Sequence, residues 1–388
     1  MTTDSALQTV QDRFQENFTA LGEVGAALSV WQDGREILHL CAGTLTKENG
    51  PAWTPETMVP VYSATKGPAA ATLLLTLHDA RLDLEAPVRA VWPQLALPLT
   101  FGELLSHQAG LPALTDPPSI HDYAAVVHAL EHQTPAWRPG TAHGYHPRTY
   151  GFLLDECVRR LTGGTTLGEV WRQRLAGPLG LDFWIGGLPE SRYPDVARLY
   201  PGRPKPPHPE EAAFFQAMAD PDSLTRHAFQ SPAGLHAVAE MNQPAAWQAG
   251  LPAFGGVGSA RALGKFYALL ANHGHWENRE IIPPEVLSWM TTPLVNGNDP
   301  VLCLPTSFSA GFMMDPLTSG GTKQRSRFGP SPDAFGHPGA GGSHAFADPA
   351  HGLAFAYVMN QMQPGVLPNE KSLRLVQALD LTREVRAL

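Results

Sequence analysis

A serine and a lysine three residues apart could form a nucleophile and its base in this chain. Ser63 and Lys66 lie in the stretch 61–68, just before an apolar run from Ala69 to Leu77. If a helix begins here, positions three apart share one face, which brings the hydroxyl and the amine within reach of each other. A serine hydroxyl needs an adjacent base to attack a carbonyl, and a desolvated lysine near a helix N-terminus favours the neutral amine. The alternative is an ordinary helix start, with Ser63 as N-cap and Lys66 in solvent.

The composition limits the classes of partner and compartment. The 388 residues are 43% hydrophobic and 16% charged, enough for a large core or two fused lobes. The net charge is −9, and acidic and basic residues are mixed along the chain without a basic block. This argues against nucleic acid and anionic membranes as main partners. Cys41, Cys157 and Cys303 are widely spaced and predict reduced thiols, neither a disulfide framework nor a zinc site. No signal peptide or membrane-spanning run is visible, so the sequence predicts a soluble cytoplasmic protein.

Local patterns predict β-structure towards both ends of the chain and helices in between. Asp33-Gly34 between two β-like runs predicts a hairpin, preceded by an amphipathic helix over 5–21. Pro68 fits the helix that starts at Ser63 only if its first turn is tight, because proline removes a helical donor. Further helices are predicted over 63–81, 99–107 (with a Thr100/Glu103 capping box), 124–132, 149–161, 167–175, 260–272 and 369–385. Strands are predicted over 307–314, 341–348 and 353–359, and the segment 221–250 is ambiguous.

This order of elements predicts an α+β fold. The two chain ends would meet in one antiparallel sheet flanked by the terminal helices, with an all-helical lobe inserted between them. We expect a single domain over 1–388, with the sheet lobe formed by about 1–75 and 300–388 and the helical lobe by about 76–299. A cleft between two lobes is a favoured place for a ligand.

With that layout, the chain resembles the serine β-lactamase and penicillin-binding-protein superfamily, and within it class C β-lactamases and family VIII carboxylesterases. Ser63-Ala-Thr-Lys66 matches the Ser-x-x-Lys nucleophile motif of these enzymes. Similar-looking blocks follow in the family order at 82–88, 104–112, 137–141, 145–151, 177–181 and 337–343, so the likeness covers about residues 20–380. The resemblance implies a β-lactamase/transpeptidase-like fold, with the active serine between a mixed α/β lobe and an all-α lobe.

The resemblance also places Tyr145 at the position of the family's Tyr-x-Asn motif. Its phenol would share a proton network with Ser63 and Lys66 and return the serine proton to the leaving group; whether Tyr145 or Lys66 is the base stays open. Pro147 stands where asparagine is usual, and that asparagine helps to hold the amide side chain of β-lactams, so a β-lactamase is disfavoured. The alternative for Tyr145 is a loop aromatic with a satisfied hydroxyl. We interpret Tyr150 as a core residue.

The third family motif, Lys-Thr-Gly, corresponds to His337-Pro338-Gly339. Replacing lysine by His337 removes a permanent positive charge that would recognise the β-lactam carboxylate, and Pro338 removes the threonine hydroxyl. Both changes favour a neutral ester over an anionic substrate. The alternative for His337 is a structural hydrogen bond at a strand end.

The glycine-rich run at 339–342 suits the close approach of a substrate carbonyl to the backbone. The resemblance implies that the backbone amides of Ser63 and Ala340 form the oxyanion hole. The side chains and backbone predicted to contact substrate are those of His337, Gly339, Tyr62 and His146.

Other chemistries fit the sequence poorly. The run 341–345 nearly imitates the Gly-x-Ser-x-Gly elbow of α/β-hydrolases, but its last glycine is missing and Asp348 and His351 follow too closely for that triad. His121, His128 and His132 could share a helical face, but no His-Glu-x-x-His pattern supports a metal site. No phosphate loop or dinucleotide fingerprint stands out, so no cofactor or metal is expected.

The sequence therefore predicts a serine hydrolase that forms an acyl-enzyme at Ser63, with Lys66 and Tyr145, and acts as a carboxylesterase on small, short-acyl esters. The alternatives are a β-lactamase or D-amino-acid peptidase or transpeptidase, an acyltransferase, and a non-catalytic binding or scaffold protein. The expected partner is a small-molecule ester, with no nucleic acid and no membrane; the oligomeric state is left open. We expect the segments 112–122, 200–209 and 221–250 to set substrate size.

Overall fold

The fold is seen in a computed structural model that describes residues 3–47, 49–203, 206 and 208–379. Its α-helices are α1 Asp4–Ala20, α2 Lys66–Asp79, α3 Phe101–Leu105, α4 Tyr123–His132, α5 Thr149–Thr162, α6 Leu167–Trp171, α7 Gly177–Leu179, α8 Ala212–Ala219, α9 Leu224–Gln230, α10 Val238–Met241, α11 Pro244–Gln248, α12 Ala260–Ala271, α13 Pro284–Thr291 and α14 Glu370–Ala378. Its strands are β1 Gly25–Gln32, β2 Arg35–Gly43, β3 Val59–Pro60, β4 Phe183–Ile185, β5 Gly256–Gly258, β6 His275–Trp276, β7 Arg279–Glu280, β8 Val295–Asp299, β9 Leu304–Phe308, β10 Met313–Met314, β11 Phe335–Pro338, β12 His344–Asp348 and β13 Leu353–Met359.

One large antiparallel sheet joins the two ends of the chain. Its eight strands lie in the order β2-β1-β13-β12-β11-β10-β9-β8. The predicted hairpin is present, and Asp33 and Gly34 turn with φ of 50° and 74°, as a tight β-turn requires. The N-terminal hairpin therefore pairs directly with β13 from the C-terminal part of the chain, as the α+β prediction required.

Helices cover both faces of this sheet. Successive side chains of a strand point to opposite faces. Ser29 of β1 faces α12, where Gly264 allows the close approach. The opposite face of the sheet carries Tyr357, whose ring packs on Phe14 of α1. Helices α1 and α14 pack together. The terminal helices thus flank the sheet as predicted, and α12 covers the other face.

The predicted lobe boundaries remain a prediction, but two elements within 76–299 join the sheet layer. Helix α12 packs on β1, β12 and β13, and β8 is the edge strand of the large sheet. The C-terminal end of the helix predicted over 369–385 lies outside the described residues from position 380 onwards. The strand predicted over 307–314 is divided into β9 and β10.

Helix α2 forms the buried centre of the molecule and begins later than the sequence pattern predicts. A 3₁₀ turn over Ser63–Thr65 precedes it, and the α-helix proper starts at Lys66. Pro68 therefore falls in the first α-helical turn, where backbone N–H groups have no intrahelical acceptor and the missing donor does no harm. Every residue of α2 from Lys66 to Leu77 is buried.

A fully buried ion pair ties the N-terminal hairpin to α14. The side chains of Glu23 and Lys371 are both 0% exposed and lie 2.9 Å apart. Tyr357 donates to Glu23 Oε2 at 2.5 Å, and Lys371 Nζ donates to the Gln361 carbonyl at 2.9 Å. Removing one charge of a buried pair leaves the other uncompensated in a low dielectric.

We therefore expect Glu23→Gln to lower the free energy of unfolding by about 3–5 kcal/mol, measured by urea denaturation. The double variant Glu23→Gln/Lys371→Met should recover much of the loss, because it leaves no buried charge behind. Glu16→Gln, whose exposed carboxylate pairs with Arg13 and Arg374, is the control and should change stability little. A Glu23→Gln variant as stable as the parent would show that the ion pair does not contribute to the free energy of unfolding.

Among the described residues, no helix is both long enough and apolar enough to cross a membrane.

Candidate active site

A strained backbone presents Ser63 at the start of the 3₁₀ turn. Tyr62, the residue before it, has φ 49° and ψ −132°, a conformation that residues with a side chain rarely adopt. The surroundings hold it there: the Tyr62 carbonyl accepts hydrogen bonds from the amide and the hydroxyl of Thr65 at 3.0 and 2.5 Å. The Thr65 hydroxyl in turn accepts from the Gly256 amide of β5 at 2.9 Å. The small sheet of β3, β4 and β5 therefore positions the serine.

Lys66 lies beside Ser63 and is fully buried. Its side chain is 0% exposed, and Nζ lies 3.2 Å from Ser63 Oγ, 3.0 Å from the Pro147 carbonyl and 2.9 Å from the Ala253 carbonyl. No salt bridge joins Lys66 to a carboxylate within the described ranges. Burial lowers the pKa of Lys66 well below its ordinary value of 10.5, because an isolated ammonium is costly to bury.

Tyr145 reaches the same point from the loop before α5. Its ring centroid lies 4.7 Å from Lys66 Nζ. Burial raises the pKa of Tyr145, a hydrogen bond with the Ser63 side chain opposes that increase, and the charge of Asp299 adds to it. The phenol therefore keeps its proton. The structure thus brings together the three side chains that the sequence analysis named, although Tyr145 is 82 positions from Ser63 in the chain.

The end of β11 closes the other side of the nucleophile turn. Gly339 packs so tightly that a Cβ there would lie 2.0 Å from the Val61 carbonyl oxygen, so only glycine fits. The chain then reverses through Gly341 and Gly342 at φ 90° and 133°. In the described part of the molecule, the backbone amides of Ser63 and Ala340 donate no hydrogen bond to protein. Two such amides beside a serine can stabilise a negative oxygen.

His337 is neutral and offers no fixed positive charge. It is 1% exposed, its Nδ1 lies 2.8 Å from the Pro338 carbonyl, and its Nε2 has no partner among the described residues. Burial lowers the pKa of His337 to about 3. Its ring centroid lies 5.9 Å from that of Tyr145. The strand-end hydrogen bond considered for His337 is therefore present, while its second nitrogen is unused.

His146 and Tyr150 are held by the backbone. His146 Nδ1 lies 2.6 Å from the Gly144 carbonyl, and Nε2 accepts from the Leu111 amide at 2.9 Å. The structure therefore leaves no ring nitrogen of His146 for the substrate contact that was predicted. Tyr150 is a fully buried core residue, as predicted, and donates to the Leu105 carbonyl at 3.1 Å.

Tyr62 is half-buried beside the nucleophile, and burial raises the pKa of its phenol to about 12. Its substrate contact stays a prediction, as does that of Gly339.

Three groups of the site carry no signal in the sequence. The Pro147 and Ala253 carbonyls that hold Lys66 are backbone atoms, which any residue can supply. Asp299, at the end of β8, accepts a hydrogen bond from the Tyr145 amide at 3.0 Å. In the sequence it is the single acidic residue of a short polar stretch, 296–299, before a proline. Only the fold shows that Asp299 is buried and bonded to the Tyr145 amide.

One group among the described residues has a geometry compatible with a metal ion, and it lies on α4. Ligand atoms of His128, Glu131 and His132 lie within 4.8 Å of one another, whereas His121 is not part of this group. Glu131 already accepts from Trp92 Nε1 at 2.6 Å, and His132 Nδ1 lies 2.8 Å from the His128 carbonyl. No residue of this group belongs to the Ser63 site.

Several buried neutral histidines should make the fold sensitive to acid. Burial lowers the pKa of His146, His337 and His344 to about 3 in each case. The unfolded chain then binds more protons than the folded one below about pH 6.5, so stability falls as pH falls from there towards 3. Each such histidine contributes about 1.4 kcal/mol per pH unit. His107 and His143, whose pKa values burial also lowers, add to this effect. Buried carboxyls oppose it: burial raises the pKa of Asp299 to about 6 and also raises the pKa values of Glu23, Asp155 and Glu211.

We expect the urea midpoint to drop steeply between pH 6.5 and 4.5. In His344→Phe, the slope of unfolding free energy against pH should decrease by about 1.4 kcal/mol per unit. His344 suits this replacement because it packs among Phe328, Phe346 and Phe355. A midpoint that does not change with pH over this range would contradict the assignment.

The chain is similar to known proteins over nearly its whole length. The model of the Beta-lactamase family matches residues 11–379. The structure of a family VIII carboxylesterase covers 98% of this chain and 98% of its own, with 30% identity and a TM-score of 0.84. That of a penicillin-binding-protein homologue from Caulobacter crescentus covers 97% and 98%, with 34% identity and a TM-score of 0.81.

A curated relative, the esterase/beta-lactamase LipL of Mycobacterium tuberculosis, is 28% identical over 357 residues, which is 87% of this chain and 77% of LipL. The family match spans nearly the whole chain, and the fold prediction is confirmed by both structures. The chain therefore belongs to the Beta-lactamase family, within the serine hydrolase superfamily, and has the β-lactamase/transpeptidase-like fold.

Proposed function

We propose that this protein is a carboxylesterase that forms an acyl-enzyme on Ser63. The observation that carries the proposal is the environment of Lys66: a fully buried amine with two backbone carbonyls and one serine oxygen around Nζ. A neutral amine has two N–H donors and one lone pair. The carbonyls of Pro147 and Ala253 take the two donors, which leaves the lone pair directed at Ser63 Oγ, where it can accept the hydroxyl proton.

The same environment argues for Lys66 as the base and Tyr145 as the acid. A phenolate at Tyr145 is disfavoured because burial raises the pKa of this tyrosine. A protonated phenol can instead donate to a leaving alkoxide. Lys66 and Tyr145 both lie beside Ser63, so a proton taken by the amine can pass through the phenol to the leaving group.

The reaction then runs in two balanced halves. Ser63 Oγ gives its proton to Lys66 Nζ and bonds to the ester carbonyl carbon, and the amides of Ser63 and Ala340 stabilise the negative carbonyl oxygen. As the bond to the alcohol oxygen breaks, that oxygen takes a proton from Tyr145, which is replaced by the proton on Lys66. In the second half, water attacks the acyl carbonyl and gives its proton to Lys66. Ser63 Oγ leaves and recovers that proton, and the carboxylic acid is released.

The residues at the position of the Lys-Thr-Gly motif, 337–339, carry no permanent positive charge that could bind a substrate carboxylate. This supports a neutral substrate. His337 is neutral, so it cannot hold a carboxylate as a lysine would. Arg148 follows closely after Tyr145, but its terminal nitrogens donate to the carbonyls of Phe229, Gly234 and Leu235. These features favour small uncharged esters over β-lactams.

The test combines covalent labelling with a substrate comparison. A fluorophosphonate probe should modify Ser63, as located by mass spectrometry, and p-nitrophenyl butyrate should be turned over far faster than nitrocefin. Ser63→Ala should abolish labelling and turnover. Ser343→Ala is the matched control, because Ser343 lies in the run 341–345, which resembles a nucleophile elbow. Labelling at Ser343 would overturn the proposal, and nitrocefin turnover equal to that of the ester would replace it with a β-lactamase.

A further inference from the structure

Asp299 is a buried carboxylate that accepts four hydrogen bonds from two parts of the chain. It is 1% exposed. Its Oδ1 accepts from the amides of Val301 and Leu302 at 2.8 and 2.9 Å, which form a local turn after β8. Its Oδ2 accepts from the Tyr145 amide at 3.0 Å and from the Thr306 hydroxyl at 3.2 Å. One oxygen therefore serves the local turn, while the other reaches the loop that carries Tyr145.

No cationic side chain among the described residues forms a salt bridge with this carboxylate, and burial raises its pKa to about 6. A turn alone would require only the Oδ1 contacts, which an asparagine side chain also supplies. Burying a carboxylate without a counter-ion is costly. The hydrogen bonds that Oδ2 accepts from Tyr145 and Thr306 therefore distinguish Asp299 from a residue that only stabilises a turn.

The loop around Tyr145 is fixed at three successive amides. The Gly144 amide donates to the His107 carbonyl at 3.1 Å, and the His146 amide donates to His107 Nδ1 at 3.2 Å. The central amide, that of Tyr145, donates to Asp299. The segment has no regular secondary structure of its own, so these contacts set the position of its backbone and hence the direction of the phenol.

We infer that Asp299 is a positioning residue for Tyr145, holding the phenol where it can protonate the leaving group of the ester. The inference rests on the proposed function. The carboxylate acts through the Tyr145 backbone. Its negative charge also helps to keep the proton on the phenol.

The variant Asp299→Asn tests this contact selectively. Its amide oxygen can still accept from Val301 and Leu302, but its NH₂ group then faces the Tyr145 N–H, donor against donor. The matched control is Thr306→Val, which has nearly the same shape. It removes the other hydrogen bond to Oδ2, together with the contact of the Thr306 hydroxyl with His143 Nε2 at 3.0 Å, while leaving the Tyr145 contact in place.

The readout is the dependence of kcat on the leaving group. A p-nitrophenolate leaves without a proton, whereas the alkoxide of an ethyl ester needs one. We expect Asp299→Asn to lower kcat about 10²-fold for ethyl butyrate, the scale of a misplacement of about 1 Å. For p-nitrophenyl butyrate the loss should be several-fold at most, and KM should change little for either ester. Tyr145→Phe should show the same selectivity, Thr306→Val should not, and the double variant Asp299→Asn/Tyr145→Phe should lose no more than Tyr145→Phe alone.

The outcomes separate this inference from the proposed function. If Asp299→Asn slows both esters equally, slows neither, or adds its loss to that of Tyr145→Phe, Asp299 does not position the phenol. If the parent protein hydrolyses neither ester, the proposed function itself fails. Should Asp299→Asn not fold, Asp299→Ser replaces it, because its hydroxyl can serve the local turn but is too short to reach the Tyr145 amide; the same selectivity is then required.

Discussion

Lys66→Met is expected to lower kcat/KM for p-nitrophenyl butyrate by about 10³–10⁴-fold, the upper range for loss of a positioned general base. Methionine fills the buried volume of the lysine side chain but carries no nitrogen to accept the Ser63 proton. The Pro147 and Ala253 carbonyls lose their donor, which costs about 1–3 kcal/mol for each buried group left unpaired. The variant should therefore fold with reduced stability, and its labelling by a fluorophosphonate should slow in parallel with hydrolysis.

The control for this variant is Lys265→Met. Lys265 also donates to a backbone carbonyl, that of Leu179 at 2.7 Å, and its ammonium lies over the Trp276 ring. It is partly buried and has no contact with Ser63. Activity within a few-fold of the parent is expected for it. A Lys66→Met variant that keeps more than a tenth of the parent activity would show that another group takes the serine proton.

Gly339→Ala is expected to lower kcat by about 10²–10³-fold, the effect of losing one oxyanion donor. A Cβ at this position would lie 2.0 Å from the Val61 carbonyl oxygen and 3.2 Å from the Ser343 Cβ. The first contact is with backbone and cannot be relieved by rotating a side chain, so the end of β11 must move away from the nucleophile turn. The Ala340 amide moves with it, and the position of the proposed oxyanion hole changes.

Gly320→Ala is the matched control for the crowded glycine. The nearest atom to its added Cβ is the Thr318 hydroxyl oxygen at 3.8 Å, so the methyl group fits without any shift. Steady-state kinetics and thermal denaturation should match those of the parent. If Gly339→Ala keeps full kcat, the strand end does not contribute to stabilising the transition state.

Much of the fold could be predicted because its signals are local. The Asp33-Gly34 turn, the capping box of Thr100 with Glu103, and the left-handed Gly163 that ends α5 all follow from one or two residues. Strand β13 was predicted with its observed bounds, because a continuous apolar run between glycine and polar residues is typical of a buried strand.

Other elements depend on contacts between distant residues. The segment 221–250 contains three short helices, α9, α10 and α11, of seven, four and five residues, too short to show a helical period. The division of β9 from β10 follows from Gly311, which at φ 89° packs against Ala70 of α2, where a Cβ would lie 2.1 Å away. No property of residues 307–314 themselves reveals that contact.

The candidate site divides in the same way. Ser63 and Lys66 form a short motif whose spacing has a direct geometric meaning. Tyr145 was reached only through resemblance to a family, because nothing in its own surroundings distinguishes it from Tyr150. The role predicted for His146 required knowing whether its ring nitrogens were free, and the Leu111 amide that occupies one of them lies 35 positions away. Asp299 and the two carbonyls around Lys66 become visible only in three dimensions.

The central claim is that Lys66 is a neutral amine at working pH, and the pH dependence of kcat/KM for p-nitrophenyl butyrate tests it most directly. In the free enzyme, this profile reports the pKa of the essential base. Because burial lowers the pKa of Lys66 well below 10.5, we expect the rate to level off well below that pH and to stay constant up to it, with the plateau absent in Lys66→Met. A rate that keeps rising tenfold per pH unit up to pH 10.5 would show a lysine that stays protonated, and would contradict the account.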